Sequence, residues 1–106
     1  MTPLRLGIVG LTLATALIHI VLAVPLTIVP FYLNGLGYIA LLTALLLPQL
    51  QAYRRTIRWL LMGYTCLTIL LWLVFGQPYT TIGYLDKALE LGLLALLWLD
   101  QQQAAR

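Results

Sequence analysis

The sequence predicts an all-α membrane protein: four transmembrane helices in an up-down antiparallel bundle, with both termini cytoplasmic. Three observations predict it. Of the 106 residues, 62% are hydrophobic and only 8% are charged, against roughly 25% charged residues in a soluble domain. The mean hydropathy of +0.98 leaves too few charges to cover a water-facing surface. Four stretches almost free of charge approach the roughly 20 apolar residues that cross a hydrocarbon layer, and links this short make sequential helices antiparallel neighbours.

The chain is one four-span domain, 1–106, with spans at about 6–24, 31–47, 57–75 and 82–99. The first runs from Leu6 to Val24 and stops at Pro25; the second runs from Phe31 to Leu47 and stops at Pro48. Prolines punctuate both exits, because the ring removes an N–H and clashes with the preceding turn. The third span runs from Ile57 to Phe75 and stops at Gly76-Gln77-Pro78, and the fourth runs from Ile82 to Leu99 and stops at Asp100. Arg5, the apolar run after it and Ala23-Val24-Pro25 resemble a secretory signal, but the run is too long for one and reads as a retained first span. Residues 101–105 read as a polar tail that begins helical and frays.

Orientation follows from the basic residues. Arg54, Arg55 and Arg58 form a basic loop between spans two and three, Arg5 precedes span one and Arg106 closes the sequence. The positive-inside rule places all of them in the cytoplasm, with 25–30 and 76–81 outside; a bacterial or archaeal plasma membrane is the expected location. Tyr53, Trp59 and Trp98 fall at the inner boundary, and Phe31, Tyr32, Tyr79 and Tyr84 at the outer one, as aromatic belts do. The net charge of +3 comes mainly from the basic loop and draws it to anionic lipid.

Polar residues inside the spans are few, so their depths can be compared. At about 1.5 Å per residue, His19 lies roughly 8 Å and Glu90 roughly 12 Å from the outer end, and Tyr38, Tyr64 and Thr68 fall in the same layer. An ionisable residue within a span costs roughly 2.5 to 3.5 kcal/mol and turns toward protein or water. Asp86 and Glu90 share a helix face at i,i+4, and Lys87 reaches Glu90 at i,i+3. Three readings of this turn stand open: an interfacial salt-bridge cap with Asp86 near the helix N-terminus, a proton or cation site shared with His19, and a contact with another subunit.

His19 shares a stripe with Thr12, Thr15 and Ala23. It reads either as hydrogen-bonded to Glu90, a hydroxyl or a backbone carbonyl, or as the axial ligand of a chlorin magnesium or haem iron. Met62 lies at the wrong depth to be a second ligand. Cys66 excludes an internal disulfide and reads as a small packing residue. Small residues four apart, Gly10/Ala14, Thr12/Ala16 and Ala88/Gly92, allow close helix approach, and Gly35 and Gly37 read as a kink.

No phosphate loop, nucleophile elbow, two-histidine metal motif or cysteine pair occurs, so neither an enzyme nor a nucleic-acid binder is expected. The expected role is a small non-catalytic accessory subunit of a larger membrane complex, electron-transfer or photosynthetic, in contact with lipids and other membrane subunits. The alternative is a small dimeric proton-coupled transporter using Glu90. In length and span count the chain resembles the small multidrug resistance family. That family carries its membrane-embedded glutamate in the first span, where this chain has His19 and no acid, so its function is not carried over.

Overall fold

The computed structural model describes residues 2–26, 29–75 and 80–104, and all secondary structure among them is helical. α1 spans Pro3–Leu26, α2 Val29–Leu46, α3 Arg54–Phe75 and α4 Thr81–Ala104, with a 3₁₀ turn over Pro48–Tyr53. α1 packs on α2, α2 on α3, α3 on α4 and α4 back on α1. That cyclic order is the up-down bundle expected of short links. One end carries the start of α1 and α3 and the end of α4, here called the terminal end.

The helix limits differ from the expected spans, and the prolines explain most of the difference. α1 continues through Pro25 to Leu26, so this proline lies inside the last turn. Pro30 sits at the second residue of α2, where a missing N–H is one of the helix's unbonded donors anyway. Pro48 opens the 3₁₀ turn after Leu47, whose ψ of 126° is extended. Pro30 and Pro48 thus start helices. The expected outer loops at 25–30 and 76–81 shrink accordingly: residues 27, 28 and 76–79, Tyr79 among them, lie outside the described residues, and so does the side chain of Phe31. Thr80 caps α4, its hydroxyl accepting from the Gly83 N–H at 3.1 Å.

The predicted basic loop is corrected as well. The 3₁₀ turn runs directly into α3, so Arg54, Arg55 and Arg58 occupy the first turns of that helix, and Arg58 is buried. The polar tail belongs to α4 through Ala104, with Gln101 buried. α2 runs as one helix through its glycines. Gly35 lies where α1 crosses, so that a Cβ there would stand 2.6 Å from Ile20 Cγ1 and 2.9 Å from the Ala16 carbonyl oxygen, while Gly37 lies under the Tyr64 phenol.

Burial is arranged with leucine outside and polar groups inside. Leu6, Leu17, Leu33, Leu60, Leu70 and Leu91 are all exposed, whereas Thr15, Asp86, Lys87 and Glu90 are buried. Cys66 is exposed. The inward face of α4 reads Asp86, Glu90, Leu93, Leu97 and Asp100, spaced four, three, four and three residues apart. It divides the interior into layers: a polar one toward the end away from the termini, an apolar one through Leu61, Leu93, Leu45, Ile57 and Leu97, and a second polar one at Arg58 and Asp100. α1 and the unit formed by the 3₁₀ turn with α3 are long and apolar enough to cross a membrane. The molecule extends 43 Å along its longest axis.

Candidate functional site: a buried ionic centre

The polar layer takes side chains from all four helices. On α4, Lys87 donates to Asp86 Oδ2 at 3.0 Å and to Glu90 Oε1. The i,i+3 and i,i+4 spacings permit this within one turn. From α1, the Thr15 hydroxyl donates to Asp86 Oδ1 at 2.5 Å. From α2, the Tyr38 hydroxyl donates to Glu90 Oε2. The Tyr64 ring of α3 stands edge-on to Tyr38, 4.8 Å between centroids, and donates its own hydroxyl to the Asn34 carbonyl at 2.7 Å. The Thr68 hydroxyl lies 3.2 Å from Asn34 Oδ1.

His19 closes the layer from α1. Its Nδ1 lies 2.8 Å from the Thr15 carbonyl oxygen, and a carbonyl only accepts, so Nδ1 carries the hydrogen. In a neutral ring, Nε2 is then the acceptor nitrogen, and Nε2 faces Asp86 Oδ2 at 3.6 Å. A proton placed on either atom makes this contact favourable. The charges agree with that reading: two carboxylates face one ammonium, so with neutral imidazole the centre carries one surplus negative charge, which a single proton cancels. The Lys87 ammonium also lies 5.8 Å from the centre of the Trp72 ring, within range of cation–π attraction.

The structure thus brings His19, Asp86, Lys87 and Glu90 together, with Tyr38, Tyr64 and Thr68 in one connected layer. Asp86 does not cap an exposed helix end; it is fully engaged in the interior. His19 bonds a backbone carbonyl, one of the partners expected for it, while Glu90 bonds Tyr38 and Lys87 instead of His19. A porphyrin or chlorin metal requires open planar space at Nε2, and Asp86 stands on that side, so the imidazole surroundings do not fit such a group. His19, Asp86 and Glu90 do bring one ligand atom each within 4.8 Å of one another; Lys87 already supplies a cation to both carboxylates there.

Sequence reasoning missed a second buried pair. Arg58 donates through Nε to Gln101 Oε1 at 2.7 Å and through Nη1 to Asp100 Oδ2 at 3.2 Å. The signal for it was present: Arg58 precedes Leu61, Met62 and Thr65 on one helical face, and Asp100 continues the inward spacing of α4. Asn34 and Thr15 were likewise unassigned as partners.

The chain matches no protein-family model, no curated protein and no solved structure.

Proposed function

We propose that the chain is a small four-span integral membrane protein whose buried centre binds and releases one proton, held between His19 and Asp86, and that this proton is used in coupled transport. The membrane placement is supported by the leucine exterior around a charged interior, the reverse of a soluble bundle, and by a length that matches the roughly 40–45 Å of a whole bilayer. The positive end, with Arg5, Arg54 and Arg55, then faces the cytoplasm. One observation carries the proton: the Nδ1–H fixed on the Thr15 carbonyl turns the acceptor nitrogen of His19 toward a carboxylate. Glu90 and Lys87 complete the site by holding Asp86 within a charge set that one proton neutralises.

Proton uptake by the purified protein in detergent tests the proposal. Across the range in which histidine titrates, about pH 5 to 8, the wild-type chain takes up one proton more than His19→Gln or Asp86→Asn. Equal uptake by all three overturns it. A second reading, a non-catalytic subunit of a larger membrane complex, is favoured by a different observation. Among the described residues every buried side-chain nitrogen and oxygen has a partner, as a permanent brace requires. Extraction in mild detergent decides between them: migration with larger membrane subunits supports the brace, and a chain that runs alone and drives pH-dependent flux in vesicles supports the carrier.

A further inference from the structure

The terminal end holds a feature that the ionic centre does not use. Arg58 and Arg5 line an open cleft of about 520 Å³ together with Thr2, Asp100 and Gln103. Arg54 stands close by: it experiences the like charges of Arg5 and Arg58 and the opposite charge of Asp100. Two guanidinium groups thus share the cleft with one carboxylate, and a third, that of Arg54, lies near enough to feel their charges. Asp100 is committed to Arg58, whose guanidinium plane is fixed from its other edge by Gln101. Among the described residues neither Arg5 nor Arg54 forms an ion pair, and Arg54 bonds only the Leu45 carbonyl through Nε at 3.2 Å. Like charges held together with too few acids within the fold are balanced by an anion from outside it.

The surroundings narrow what that anion is. Leu6, one residue after Arg5, is 58% exposed, and the Trp59–Trp98 pair at the same end packs edge-on at 6.1 Å with both rings about half exposed. Half-exposed tryptophans beside an apolar surface suit the level of lipid headgroups, and guanidinium forks match phosphate oxygens two at a time. We propose that this cleft, with Arg5 and Arg58 in its wall and Arg54 beside it, binds the phosphate of an anionic phospholipid, with the acyl chains lying along the exposed leucines of α1. Arg58 and Asp100 form the rigid wall of the site, and Arg5 and Arg54 supply its uncompensated charge. This inference rests on the membrane placement alone, not on the proton centre.

Retention of phosphatidylglycerol by the full chain in neutral detergent, read by native mass spectrometry and by thermal unfolding, tests it. Phosphatidylglycerol is expected to stay bound and to raise the unfolding temperature, whereas phosphatidylcholine and inorganic phosphate do neither. Arg5→Gln is expected to weaken retention roughly fivefold, the factor corresponding to one arginine's attraction to an anionic surface, without lowering the unfolding temperature of the lipid-free protein. Equal effects of both lipids overturn the site. So does a shift produced in full by inorganic phosphate, which assigns the cleft to a free anion, or retention that Arg5→Gln and Arg54→Gln both leave unchanged. Recovery of the chain in the aqueous fraction without detergent instead overturns the membrane placement itself.

Discussion

Tyr38 on α2 and Glu90 on α4 meet across the diagonal of the bundle, phenol donating to carboxylate, although these two helices do not pack directly on each other. The link reaches through the bundle axis and joins two helices that otherwise touch only their neighbours. Removing only the hydroxyl isolates its contribution. Tyr38→Phe keeps the ring edge-on to Tyr64 but deprives a buried carboxylate of a donor, a loss of about 1.5–3 kcal/mol for a bond to a charged group. Reversible unfolding in detergent is the measurement. A variant as stable as wild type would show that Glu90 draws nothing from the phenol.

Lys87 and Glu90 are expected to be worth more together than apart. Glu90→Leu leaves the buried Lys87 ammonium with Asp86 alone and takes the carboxylate acceptor from the Tyr38 hydroxyl. The expected loss is about 3–5 kcal/mol, because breaking a buried pair leaves an uncompensated charge. Lys87→Met is destabilising for the converse reason, with two carboxylates then in contact range. The double variant Lys87→Met/Glu90→Leu is therefore expected to fall short of the summed single losses by about 1–3 kcal/mol. Additive losses would show that the two groups do not interact.

Much of this was legible in the sequence because hydropathy and helical spacing are local. Four helices follow from the four apolar stretches, and simple rise per residue places His19, Tyr38 and Glu90 in one layer. The inward face of α4 repeats at three and four residues, and that too can be read from the text. Contacts between distant residues could not be read. Arg58 looked like a solvated basic residue because its partners, Asp100 and Gln101, lie more than forty positions away and meet it only when α3 closes on α4. Thr15 similarly gave no sign of Asp86. The prolines misled for a different reason: the same ring that ends one helix is equally suited to the first turn of the next, and Pro30 and Pro48 take the second option.

Gly35 and two other glycines separate close packing from mere smallness. At Gly35 a Cβ would press on the Ala16 carbonyl of α1, which is backbone and cannot turn aside; at Gly10 and Gly63 nothing lies within 4 Å. Gly35→Ala is accordingly expected to force α1 and α2 apart, at about 1–3 kcal/mol as for other overpacked sites. Gly10→Ala and Gly63→Ala are expected to be neutral or to stabilise by about 0.5–1 kcal/mol through helix propensity. Loss of stability at all three positions would mean that Gly10 and Gly63 face a partner surface in the folded protein, and only Gly35 behaving as stated supports the packing described.

Arg58 and Asp100 seal the terminal end in a way that makes their removal asymmetric. The guanidinium is held by one charged and one neutral acceptor, and both come from consecutive residues of α4. Asp100→Ala leaves a buried guanidinium with Gln101 only and is expected to destabilise by about 3 kcal/mol, near the lower limit for a broken buried pair because the aspartate is slightly exposed. Gln101→Leu removes only the neutral acceptor, and about 1 kcal/mol is expected. Replacing both ends of the ion pair, Arg58→Met with Asp100→Leu, removes the charge along with its partner, and apolar neighbours Ile57, Leu61 and Leu97 are present to receive the new side chains. That double variant is expected to regain most of the stability lost in Asp100→Ala. Unfolding curves for the three variants check the order: a double variant less stable than Asp100→Ala would show that the pair does more at this end than satisfy its own burial.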